Sequence, residues 1–176
     1  MPLPVAHGLL GASIVAALHP EPTRRFYSVP LFIGALLANA ADVDFLLVLV
    51  AHSKSWHRGP THSLIFALLA GMLFALLLGK RRLREALAYG LAFASHGILD
   101  YVTSKEGGGV ELLWPFSAKR VALGWWGLSE VPSRLPPSGI IKALALEFGL
   151  FTPLLFGVLI LRKVVTRSVK SEKVAM

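Results

Sequence analysis

Five stretches of this chain, roughly residues 3–18, 29–51, 61–79, 85–103 and 139–161, are each apolar and close to the length of a bilayer crossing. A helix needs about 20 such residues to cross, and nothing but a helix or a closed barrel satisfies its backbone amides in hydrocarbon. Hydrophobic residues make up 55% of the 176 and charged residues only 16%. Soluble domains carry about a quarter charged residues, so lipid is the expected solvent. The pattern predicts an all-α polytopic membrane protein, a bundle of about five transmembrane helices. Residues 1–161 form a single membrane-embedded domain, with an outer loop at 104–138, and residues 162–176 form a basic tail. The first stretch lacks the basic start of a secretory signal peptide and is read as a retained helix.

The basic residues set the orientation. With five crossings, one side holds the 19–28 loop, the Lys80-Arg81-Arg82-Leu83-Arg84 loop and the tail, and carries eleven Lys and Arg; the opposite side carries seven. The richer side faces the cytoplasm by the positive-inside rule. The N-terminus is therefore expected outside and the C-terminus inside. Split this way, the formal charge of +8 lies wholly on the cytoplasmic half, and the outer half is neutral. The basicity is thus topological, and nucleic acid is excluded as the primary partner. With no cysteine there is no disulfide, no thiolate metal site and no cysteine nucleophile.

Polar residues inside the crossings carry the chemistry. All three aspartates lie there: Asp42 and Asp44 in the second, Asp100 in the fourth. An ionised carboxylate in lipid costs several kcal/mol unless it is paired, solvated or bound to a cation. His96 and Asp100 are four residues apart, with Thr103 seven after His96, which stacks the three on one helical face. Asp42 and Asp44 would diverge by about 200° on a regular helix and are not expected to act alike. Asn39 shares the face of Asp42. In Trp56-His57-Arg58-Gly59-Pro60-Thr61-His62-Ser63, Gly59-Pro60 breaks the chain and Thr61 is placed to cap the third crossing. That leaves His57 and His62 at the membrane edge. Imidazole is the commonest nitrogen ligand of zinc, and Arg58 is suited to an anionic group. His7 sits at the outer end of the first crossing, followed by Gly8 and Gly11, which allow another helix to approach closely. Glu147 is open to pairing with a basic side chain of another crossing or to joining the site. Trp114, Trp125 and Trp126 in the outer loop are read as headgroup-level anchors or as part of a lid over a lipid substrate.

His7, Asp42, Asp44, His57, Arg58, Thr61, His62, His96 and Asp100 all fall in the outer half under an orientation derived from other residues. Four crossings deliver metal-ligand types to one depth.

His7, Ala41-Asp42-Val43-Asp44, His57-Arg58-Gly59-Pro60-Thr61-His62-Ser63 and His96-x-x-x-Asp100 together resemble the YdjM family, as does Trp114-Pro115-Phe116-Ser117 through Arg120. The resemblance implies an inner-membrane, metal-dependent hydrolase. The family in turn looks distantly similar to zinc-dependent phospholipase C and the S1/P1 nucleases, helical phosphodiesterases with metal clusters of His and Asp. That similarity implies His7, an aspartate of the pair Asp42 and Asp44, His57 or His62, His96 and Asp100 as metal ligands, which makes His7, Asp42, His57, His62, His96 and Asp100 the candidate set. Those enzymes carry a further His-x-x-x-Glu or His-x-x-x-Asp pair, but here Ala143 stands four residues before Glu147, so one or two metals fit better than three.

The expectation is a membrane hydrolase with a divalent cation, zinc by donor type, acting on a phosphoester of lipid character at the outer face. Asp44 or Asp42 would be the general base, Arg58 would hold developing negative charge, and Thr61 completes the catalytic set. The competing classes are a metal- or proton-coupled transporter and a non-catalytic scaffold with a structural metal. The inner halves of the crossings are nearly all apolar, which counts against transport.

Overall fold

The computed structural model describes residues 2–20, 28–104, 108–125 and 137–175. Arg24, Arg25, Lys105, Trp126 and Arg134, which entered the reading of orientation and outer loop, lie outside the described residues. What is described is all-α: α1 (Pro4–Leu18), α2 (Ser28–Leu37), α3 (Asp44–Ala51), α4 (Leu64–Leu78), α5 (Leu83–Thr103) and α6 (Pro137–Ala175), joined by 3₁₀ turns and one bridged loop.

The packing is inverted relative to a soluble protein. The buried apolar residues are mainly small, with Ala88 and Ala92 beside Val15 and Tyr89 in one cluster and Ala41 and Ala67 beside Phe93 in another. Large apolar side chains such as Phe32, Val50, Leu76, Leu77 and Ile160 point outward. The buried interior instead holds His7, Asp44, His96, Asp100 and Glu147, each at most 2% exposed. A polar centre wrapped in apolar side chains is what hydrocarbon selects.

Helices fall on all five expected stretches, but they are not five straight rods. Among the described residues, judged by length and hydropathy, one helix, over Ser138–Thr166, suffices to cross alone. There are up to three crossings if each bent pair counts as one, Ser28–Leu37 with Ala40–Ala51 at 49° and Leu64–Leu78 with Lys80–Thr103 at 119°. The second stretch breaks after Leu37, where Ala40–Val43 winds as a 3₁₀ turn before α3 begins at Asp44. Turning two neighbouring carboxylates toward one centre requires that break. α6 continues without interruption from the fifth apolar stretch to Ala175, so the basic tail prolongs a helix.

Two helices frame the rest. α1 packs closely on α2 because a side chain at Gly11 would lie 2.4 Å from the Gly34 carbonyl oxygen. Along its other side α1 runs parallel to α6. Glu147, early in α6, accepts hydrogen bonds from the amides of Leu3 and Ala6 at the start of α1. Arg162, further along α6, donates to the carbonyls of Ala16 and His19 at its end. Glu147 therefore neither pairs with a base of another crossing nor enters the polar centre: it caps α1.

Candidate metal centre

The centre is built on the turn between α3 and α4. Arg58 adopts the left-handed conformation (φ 61°), which is uncommon outside glycine. Hydrogen bonds fix it on both sides: its amide donates to Asp44 Oδ2 (2.9 Å) and its carbonyl accepts from the Glu111 amide (3.0 Å). Pro60–His62 then forms a 3₁₀ turn, and Ser63 caps α4 by accepting from the Phe66 amide (3.1 Å). Thr61, expected as that cap, lies two residues too early. Its hydroxyl instead donates to Asp44 Oδ2 (3.0 Å).

Asp42 and Asp44 address opposite nitrogens of one imidazole. Asp44 Oδ2 lies 3.3 Å from His62 Nδ1, and the Thr61 hydroxyl lies 3.1 Å from the same nitrogen. Because Thr61 donates to Asp44, it accepts from His62 Nδ1–H, which leaves Nε2 as the bare nitrogen. That Nε2 faces Asp42 Oδ1 (3.7 Å) and Asp100 Oδ2 (3.6 Å). The other oxygen of Asp44 accepts from His57 Nδ1 (3.0 Å). Asp44 is therefore fully engaged, orienting two histidines and a left-handed backbone, and is poorly placed to act as the general base. The expectation that Asp42 and Asp44 differ in role agrees with this. The 200° divergence does not hold, because the helix breaks between Leu37 and Asp44.

α5 supplies the facing wall. His96 Nδ1 donates to the Ala38 carbonyl (2.6 Å), so its Nε2 is also bare, 3.3 Å from Asp42 Oδ1 and 4.0 Å from Asp100 Oδ2. α5 meets the turn at Gly97, where a side chain would sit 2.2 Å from the His62 carbonyl oxygen. From α1, the His7 ring stacks on that of His96 (3.9 Å between centroids), and its Nε2 lies 3.5 Å from Asp100 Oδ1. Arg58 Nε approaches Asp100 Oδ2 at 3.5 Å.

The donor set fits a divalent cation. His7 Nε2, Asp42 Oδ1, His62 Nε2, His96 Nε2 and both Asp100 oxygens are buried and have no hydrogen-bond partner. Buried polar groups are almost always partnered, and a cluster of unpartnered ones points to an ion. Ligands about 2.0–2.1 Å from a tetrahedral zinc stand about 3.3 Å from one another, and the separations here run from 3.3 to 4.0 Å. Among the described residues three groups qualify, with ligand atoms within 4.8 Å: His7, His96 and Asp100; Asp42, His62 and His96; Asp42, Asp44 and His57. In the third, His57 Nδ1 and Asp44 are already hydrogen-bonded together, so the first two, which share His96, are the better cation sites. The anchoring of His62 and His96 through their second nitrogens is the arrangement that fixes metal-binding imidazoles.

All nine residues expected at the site are brought together. Thr103 is not, because its hydroxyl turns back to the Leu99 carbonyl (2.7 Å). His52 is an exposed helix end and His19 lies at the opposite end of the bundle. Residues the sequence reading passed over also shape the site. Arg120 donates to the carbonyls of Ser55 and His57 and lies 3.6 Å from Glu111, tying the 108–125 loop over the turn. The glycine at 97, between two polar residues of one helical face, was the available signal for close backbone approach.

The family described as YdjM inner membrane protein matches residues 1–170. Among curated proteins, the inner membrane protein YbcI of Escherichia coli strain K12 is 36% identical over 113 residues, which cover 60% of this chain and 64% of that protein. No solved structure matches the chain. With nearly its whole length matched, the chain belongs to the YdjM family of inner membrane proteins.

Proposed function

We propose that this protein is a multi-pass inner-membrane hydrolase that acts on a phosphoester, of lipid character, with a divalent cation held at the outer end of its bundle. The observation that carries the reading is the convergence of unpartnered buried nitrogens and oxygens from four separate segments. Asp42, His62, His96 and Asp100 would hold the cation, with His7 completing the set on the α1 side. A cation of this kind supplies Lewis acidity and makes water a nucleophile near neutral pH. Zinc is favoured by the mixed His and Asp donors.

The remaining roles belong to the chain's own groups. His57 is the most accessible imidazole of the cluster, its side chain 19% exposed, with Nδ1 held by Asp44. That pairing suits it to move a proton at Nε2, with Asp44 as the carboxylate behind it. Arg58, fixed in a left-handed turn with Nε free of hydrogen bonds though 3.5 Å from Asp100 Oδ2, is set to bind the negative charge of a phosphoester. Thr61 links the His62 Nδ1–H to Asp44 by a chain of two hydrogen bonds and so keeps the ring oriented.

The topology we infer has five crossings, with the N-terminus and site outside and the C-terminus in the cytoplasm. The parallel course of α1 and α6 supports it, since a first and a fifth crossing run in the same direction. The α4–α5 pair turns by 119°, more like a hairpin of two crossings than one. The test is to purify the protein in detergent, assay bound metal by elemental analysis, and follow turnover of a chromogenic phosphodiester and phosphomonoester. Wild type should hold zinc and turn over one of them, and His96→Ala and Asp100→Ala should lose both properties. Variants that keep metal and turnover at wild-type levels would overturn the reading.

A further inference from the structure

α1 carries no capping group of its own. Its N-cap is Leu3, without a side-chain hydrogen bond, and it has no acidic residue in its first turn and no basic residue in its last. The unpaired amides and carbonyls at helix ends are costly away from water. Both ends of α1 are served from α6, the amides of Leu3 and Ala6 by the Glu147 carboxylate (2.5 and 3.1 Å) and the carbonyls of Ala16 and His19 by Arg162. Each charge also has the sign that the helix dipole favours at that end.

His7 directly follows the amide that Glu147 holds. It differs from the other imidazoles of the centre in one respect. His62 and His57 are oriented through Asp44, and His96 through the Ala38 carbonyl. Both His7 nitrogens are without a hydrogen-bond partner. Apart from its stacking on His96, the place of its Nε2 is therefore set by where the α1 backbone stands along its own axis. Each residue of axial slip moves it about 1.5 Å, against a separation from Asp100 of 3.5 Å.

We propose that Glu147, although outside the metal centre, is the positioning residue of His7: its carboxylate fixes the depth of α1 and so brings the His7 imidazole to Asp100 and His96. The proposal rests on the metal reading above for its consequence, while the clamp itself can be measured without metal.

The experiment uses the full chain in detergent. Zinc affinity is read by competition with a chromogenic chelator, and amide exchange over residues 3–8 is read in the metal-free protein. Glu147→Ala should weaken zinc binding roughly tenfold to a hundredfold, the range for lost supporting partners, and speed exchange in those residues. Glu147→Gln, whose single amide oxygen can accept from only one of the two amides, should rescue both in part. Glu147→Asp, one methylene shorter, keeps a buried acceptor should the Ala variant not fold, and should weaken zinc binding measurably. The distinguishing measurement is the double variant. If Glu147 acts through His7, Glu147→Ala costs nothing further in a His7→Ala background but keeps its full effect in a His57→Ala background. Multiplying losses in the His7 background would overturn the proposal, as would unchanged exchange in Glu147→Ala. A wild-type protein that binds no zinc would overturn the metal reading and the consequence drawn here, while the exchange result would still decide the clamp.

Discussion

The bundle has a histidine–carboxylate cluster at each end, and they are built from the same residue types to opposite effect. At the end that the proposed topology makes the inner one, the His7 end being the outer one in the same sense, His19 Nδ1 donates to the Pro20 carbonyl (2.8 Å), and its Nε2 lies 3.6 Å from Glu85. Glu85 is already gripped through both oxygens by Arg82. Among the described residues, none of those polar atoms is buried without a partner. At the outer end His7, His62, His96, Asp42 and Asp100 lie as close to one another, yet the atoms that face the centre have no hydrogen-bond partners. The inner cluster is a closed ion-pair network that seals a helix end. The outer one has its supporting bonds made behind the imidazoles and its facing atoms left for something else. Proximity of His and Asp is thus a poor marker of a metal site, and the direction in which the partners lie is a good one.

The largest effect that would break this contrast lies at His96. Its Nδ1 is anchored and its Nε2 faces two carboxylates, so His96→Ala removes the residue shared by both of the better cation sites. Bound zinc should be lost entirely. Chelation should lower the thermal midpoint of the wild-type protein toward that of the variant and leave the variant unmoved, because a ligand that binds only the folded state stabilises it. A midpoint insensitive to chelator in both would mean that the facing atoms hold no metal.

Gly97→Ala is expected to act next most strongly, and through backbone alone. The added carbon would meet the His62 carbonyl oxygen at 2.2 Å, where no flexible side chain can yield. The turn must move away from α5, which separates His62 from His96. Overpacking of this kind costs about 1–3 kcal/mol, and zinc affinity should fall although no ligand has been changed. Elemental analysis and thermal unfolding of the one variant read both consequences, and unchanged affinity would show that the turn tolerates displacement.

That glycine marks the boundary of what could be read in advance. The helical class, the residues that gather at the centre and their shared end of the bundle were legible because each rests on residue type and spacing. Apolar length gives the helices, and a carboxylate in lipid needs a partner wherever it sits. The division of labour was not legible. Asp42 and Asp44 separate their duties because the helix breaks between Leu37 and Asp44, a break that apolar periodicity conceals. Thr61 was assigned the cap that Ser63 makes, since the Gly59-Pro60 turn runs one 3₁₀ step further than the pattern suggests. Glu147 was weighed as an ion-pair partner or site residue, because nothing local to position 147 reveals that α1 lacks caps 140 residues earlier.

The smallest predicted effect is at the inner end. His19→Ala removes one bond to a backbone carbonyl and one contact to a carboxylate that Arg82 already satisfies, while the side chain is itself 13% exposed. A typical intramolecular hydrogen bond contributes about 1 kcal/mol net, so the thermal midpoint should drop slightly and bound zinc should not change. The two clusters sit at opposite ends of α1, whose carbonyls at Ala16 and His19 are still held by Arg162 through the backbone in this variant. Register along α1, and with it His7, should therefore survive the loss of the His19 ring. Zinc lost from His19→Ala would mean that the inner network reaches the outer centre through that helix. Zinc retained would leave the distinction between satisfied and unsatisfied partners as the sufficient account of why only one cluster takes an ion.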